Sequence, residues 1–152
     1  MYLYIKVVPM VVIAAVDRSE KAKQVVEEAA MLADAFELPL HIVHVLSASE
    51  FVDLKRTNQE ETGDSLPTDE IKEIAKGFAE DAATELSQEY ETVGLVGDAA
   101  NKIVEYSDQQ SAKYVVVGPK KRSPTGKVIF GSVAQSVLLN SPCTVVMMPT
   151  NQ

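Results

Sequence analysis

Gly118, Gly131 and Ser132 are the residues best placed to do chemistry in this sequence, and the chemistry they suit is anion binding. Between them stand four cations in eight residues: Lys120, Lys121, Arg122 and Lys127. Residues 114–117 are a short β-branched run, which reads as a buried strand, and Gly118 ends it. Gly131-Ser132 opens an expected helix with Ser132 as its N-cap. A strand tip, a basic turn and a helix N-terminus bring together unpaired backbone N–H groups and a favourable helix dipole. The glycines let a phosphate approach the backbone closely. The plainer alternative is a turn that only needs solvated residues.

Charge along the chain favours the anion site. No Asp or Glu follows Asp108. Residues 109–152 hold five Lys/Arg and no acid, whereas residues 1–108 hold nine against 22 acids, for a net charge of −8 overall. A basic island in an acidic chain suggests a bound anion. The acidic balance argues against general nucleic-acid binding, which needs distributed cations.

Other motifs are absent or weak. Gly126-Lys127 lacks the glycine at 121 and the Ser or Thr at 128 that a Walker A loop requires. No G-x-G-x-x-G follows the first strand, and no G-x-S-x-G occurs. His41 and His44 should face opposite sides of one strand and read as half-buried strand histidines, not a metal pair. Cys143 is the only cysteine. It excludes an intrachain disulfide and a cysteine-rich zinc site, fits a reducing cytoplasm, and reads as strand packing. Asp17 has two compatible readings, helix cap and acceptor for a ligand hydroxyl. It is the only obvious acid near the basic loop, so the residues favour binding over fast chemistry.

These residues need a scaffold, and the periodicity supplies one. At 152 residues, 46% apolar and 24% charged, the chain suits one soluble domain with a substantial core. Residues 1–16 are apolar but too short to span a bilayer as a helix, and they lack a basic leader. Residues 1–9 read as an extension, with the domain core at 10–149. Strands are expected at 10–16, 40–46, 92–96, 114–117 and 143–148. The first helix should open with Asp17-Arg18-Ser19-Glu20 as a capping box and bury Ala22, Val25, Val26, Ala29, Ala33 and Phe36. Residues 47–66 read as a mobile loop or a partly ordered excursion. A second helix from 67–70 should bury Ile71, Ile74, Phe78, Ala82 and Leu86. A third should bury Ile103, Val104 and Ser107. Alternating strands and helices imply a five-stranded parallel sheet covered on both faces, an α/β Rossmann-like fold. Ligands in such sheets sit beyond the strands' carboxyl ends at a topological switch point, and Asp17, Val45 and Gly118 lie near such ends.

In this arrangement the chain resembles the universal stress proteins, a family of adenine-nucleotide-binding α/β domains. The resemblance spans nearly all of 10–149. It rests on Val16-Asp17, His44-Val45, Gly97, Ile103, the run ending at Gly118, and Gly131-Ser132. The family's motif is glycine, two residues, glycine, nine residues, then glycine with Ser or Thr. Gly118 and Gly131-Ser132 keep the spacing, and Lys121 replaces the second glycine. The resemblance implies ATP, with Mg²⁺ as its companion ion. It implies adenine near Ala15 and the Val45 backbone, and ribose at Asp17 and Gly118. Gly118, Gly131, Ser132 and Val133 would surround the phosphates, with Val117 lining the pocket. The Lys121 ammonium would either replace lost backbone donors or obstruct them. The resemblance further implies a cytoplasmic homodimer joined through 143–148, with no nucleic-acid or membrane partner. A nucleotide-free interaction module and a slow ATPase or self-phosphorylating protein are the alternatives.

Overall fold

The computed structural model describes residues 9–119 and 131–149. In chain order it contains β1 (Val11–Ala15), α1 (Ala22–Ala35), β2 (Leu40–Leu46), α2 (Ala48–Thr62), α3 (Thr68–Ala82), β3 (Glu91–Val96), α4 (Ala99–Gln109), β4 (Ala112–Val117), α5 (Ser132–Asn140) and β5 (Thr144–Met147). The five strands form one parallel sheet in the order β3-β2-β1-β4-β5. The chain builds outward from β1 to β3, then returns to the other side of β1 for β4 and β5. The order therefore reverses at β1, in the centre of the sheet.

Strand alternation explains why both faces are covered. Val12, Ala14, Leu40, Ile42 and Val116 point to one face, where they pack against Val25, Val26 and Ala29 of α1 and Ala79 and Ala82 of α3. Val11, Ile13, Val43, Val115 and Val117 point to the other, against Ala100 and Ile103 of α4 and Ala134 and Val137 of α5. The small residues let helices lie close to the sheet. At Gly94 the approach is tightest, since a Cβ there would strike the Lys72 carbonyl and the Lys76 amide of α3.

Several expectations need correction. The stretch read as a mobile loop, 47–66, is mostly α2. Ser47 caps it by accepting from the Glu50 N–H at 3.2 Å, and Gly63 closes it at φ 78°. The helix buries no residue completely, which is why no apolar period announced it. Asp17 does not cap α1, because that helix begins at Ala22 with Lys21 at the N-cap position and no side-chain cap. The N-cap of α5 is Gly131, and Ser132 is its first helical residue. Phe36 is not buried. It lies at the C-terminal end of α1, is 46% exposed, and stacks at 5.5 Å on Tyr114. On α3 the buried residues are Ile71, Ala75, Ala79 and Ala82, while Ile74 and Phe78 are half-buried. Val104 is half-buried too, and His41 and His44 are more buried than expected, though on opposite faces as expected.

Candidate functional site

A cavity of about 390 Å³ opens at the carboxyl ends of β1, β2 and β4, the position where open α/β sheets hold ligands. Its volume lies in the range of small-molecule sites. Ala15, Asp17, Val45, Val117 and Gly118 line it from the strand ends, and Gly131, Ser132 and Val133 line it from the start of α5. Lys121 and the basic loop at 120–130 lie outside the described residues.

Asp17 sits in the turn between β1 and α1. Its Oδ1 accepts from the Ser19 N–H at 2.9 Å and the Ser19 hydroxyl at 2.6 Å. Those bonds hold the carboxylate through one oxygen, and Asp17 lines the cavity.

Val45 offers backbone groups. In a parallel strand, alternate residues direct their N–H and C=O to opposite neighbours. The Val16 N–H donates to the Val43 carbonyl at 2.9 Å, and the Gly97 N–H to the Leu46 carbonyl at 2.9 Å. Val43 therefore faces β1 and Leu46 faces β3, which turns Val45 toward β1. Pairing with β1 ends at Ala15 and Val43. Among the described residues no hydrogen bond joins Val45 to β1, so this residue presents one donor and one acceptor beyond the last rung.

Gly118 ends β4 where α1 comes close, and a Cβ there would lie 3.1 Å from Val25 Cγ2. This glycine thus has a packing reason of its own. Gly131 begins α5 with extended backbone, φ −63° and ψ 153°, and accepts from the Gln135 N–H at 3.0 Å. The N–H groups of the first turn of α5 have no intrahelical partner, and the positive end of the helix dipole lies with them.

The sequence reading missed part of the wall. Ala99 and Ile103 of α4 make its apolar side, and Arg18, Ser47 and Glu50 its polar side. Ser47 and Glu50 carried a signal, the S-x-x-E spacing of a helix start. Among the described residues no three His, Cys, Asp or Glu side chains gather as a metal site, and no helix is long and apolar enough to cross a membrane.

The sequence profile of the Universal stress protein family matches residues 10–149. The chain belongs to that family. Universal stress protein MJ0531 of Methanocaldococcus jannaschii is 27% identical over 132 residues, covering 87% of this chain and 77% of that protein. A universal stress protein structure from Archaeoglobus fulgidus is 30% identical, with a TM-score of 0.59 over 91% of this chain and 97% of that one. Two further universal stress protein structures share the fold. One, in complex with cAMP, is 21% identical with a TM-score of 0.60, covering 95% of this chain and 100% of the other. The other, from Archaeoglobus fulgidus in complex with dAMP, is 23% identical with a TM-score of 0.55, covering 93% and 98%. The five-stranded parallel sheet expected of a universal stress protein is thus found here, and some of its structural neighbours bind adenine nucleotides.

Proposed function

We propose that this universal stress protein binds an adenine nucleotide, ATP, in the cavity at the ends of β1, β2 and β4, and that it is a cytoplasmic regulatory module of the stress response. The observation that carries the reading is the row of complementary groups along one cavity. The Val45 N–H and C=O match the adjacent ring nitrogen and amine of adenine. The Asp17 carboxylate suits a ribose hydroxyl, and the start of α5 suits phosphates. Ala15, Ile103, Val117 and Val133 supply apolar contact for the base. Lys121 and its basic neighbours would meet the phosphates by charge. Mg²⁺, where it takes part, would be held through the nucleotide's own oxygens.

Gly131→Val tests the phosphate site. It adds a branched side chain where backbone must meet oxygen, while φ −63° remains open to valine. Calorimetric titration should show ATP affinity reduced by at least about tenfold with the far-ultraviolet spectrum unchanged. Unaltered affinity would remove the site. Mass spectrometry of small molecules released from the purified protein on denaturation separates this reading from a nucleotide-free interaction module. Single-turnover hydrolysis in wild type and Asp17→Asn separates it from a slow ATPase.

A second reading, homodimerisation through β5, rests on a different observation. β5 is an edge strand, and beside it Leu138 and Leu139 of α5 are 50% and 74% exposed. An apolar strand edge favours pairing with a second copy.

A further inference from the structure

His44 stands on the α1–α3 face of β2 and is 5% exposed. Its ring lies edge-on to Phe78, with centroids 5.3 Å apart, and the Arg18 guanidinium covers Phe78 at 4.2 Å. Nδ1 is 2.8 Å from the Val16 carbonyl oxygen. A carbonyl only accepts, so Nδ1 carries the proton and donates. Nε2 is buried and has no partner among the described residues. Apart from its packing, the imidazole thus spends its polarity on one bond, to Val16.

That bond lies where the pairing between β1 and β2 ends. After the rung from the Val16 N–H to the Val43 carbonyl, the next rung of a parallel ladder runs from the Val45 N–H to the Val16 carbonyl. The Val16 carbonyl instead meets the imidazole, no bond from the Val45 N–H to it is found among the described residues, and strand pairing ends at Ala15 and Val43. The Val16 carbonyl also shares a rigid peptide plane with the nitrogen and Cα of Asp17. Holding the oxygen therefore orients the residue that follows.

We propose that His44 is a positioning residue for both base and ribose. By claiming the Val16 carbonyl it keeps the Val45 N–H open to a ligand acceptor, and it aims the Asp17 carboxylate. The proposal rests on the adenine-nucleotide reading above. Because it makes a statement about the ligand-free ladder, it can be tested apart from that reading.

Amide hydrogen exchange on the ligand-free protein is the first arm. The Val45 amide should exchange at least about tenfold faster than the Val43 amide, which the ladder holds. His44→Phe keeps a ring and removes the N–H, so the Val16 carbonyl should recapture the Val45 N–H and slow it at least about tenfold. His44→Asn places an amide N–H near the position of Nδ1 and should keep Val45 fast. Calorimetry is the second arm, with adenosine, 1-deazaadenosine and dideoxyadenosine. His44→Phe should weaken adenosine about tenfold and each analogue by less, because each lacks the ligand group that would meet one of the two protein groups His44 positions. His44→Asn should restore most of the affinity. Slow Val45 exchange in the wild type overturns the proposal. So does an equal loss for all three ligands, which marks a packing role only. If the exchange pattern holds and the wild type binds no adenosine, the nucleotide reading fails and the ligand role of His44 fails with it, while the ladder statement stands.

Discussion

His41 shows how a polar side chain becomes part of an interior. Its Nε2 lies 3.3 Å from Glu91 Oε2, and its Nδ1 lies 2.7 Å from Tyr106 Oη. The ionised carboxylate only accepts, so Nε2 carries the proton and the Tyr106 hydroxyl donates to Nδ1. Burial is the larger influence on His41 and lowers its pKa below the ordinary 6.5, against the upward pull of Glu91. Burial first, and then the Glu91 charge, push Tyr106 up to about 12. Because the unfolded chain takes up the histidine proton at higher pH than the folded one, the consequence has a definite sign. The His41 contribution to stability is intact above 6.5 and is lost as pH falls from there through the lowered value. His41→Gln should reduce stability at neutral pH and make the decline on acidification shallower. Urea midpoints at about pH 7.5 and about pH 5.5, on either side of the ordinary histidine value, measure this. The same decline in variant and wild type would show that His41 is not the titrating group.

Two elements are held in very different ways. α2 depends on its ends and a thin apolar stripe, with Phe51 and Leu54 resting on Leu46, Ile71 and Ala75. Ser47→Ala removes the cap and should cost α2 about 1 kcal/mol. Faster amide exchange within α2 alone would register it, and slowed or unchanged exchange there would contradict the capping role. α3 instead lies directly on β3. Gly94→Ala sets a Cβ against backbone atoms of Lys72 and Lys76, which cannot rotate away as a side chain would. A loss of about 3 kcal/mol, the upper end for overpacking, is expected in denaturant titration. A variant of near-native stability would mean that α3 can lift from the strand.

At the scale of the whole molecule, β5 is one of the two edges of the sheet. Val146 packs from it toward the α1 face, and Val145 and Met147 toward the α4–α5 face. A second copy pairing along this edge would satisfy its outward N–H and C=O groups and cover Leu138 and Leu139. Val146→Lys should convert a dimeric wild type to monomer in light scattering at micromolar concentration. A monomeric wild type would dispose of the dimer.

Most of the framework was legible in the sequence because it is locally encoded. β-branched runs marked the strands, small apolar residues at helical spacing marked the buried face of α1, and Ile103 with Ser107 marked that of α4. The distance from Gly118 to Gly131-Ser132 was one part of a family resemblance that spans nearly all of 10–149. What escaped was local structure without a strong apolar period. α2 is held by its caps and by the half-buried Phe51 and Leu54, and Phe36 falls at the C-terminal end of α1, where the helical stripe no longer points inward. Tertiary structure alone decided the order β3-β2-β1-β4-β5, which sets Asp17, Val45 and Gly118 around one cavity. It also decided where the ladder between β1 and β2 stops. Period-two alternation can tell which face His44 occupies. It cannot tell that the imidazole meets the Val16 carbonyl, because register and strand ends are set by pairing between segments far apart in the chain. A side chain can compete for a carbonyl only after that pairing has brought the two together.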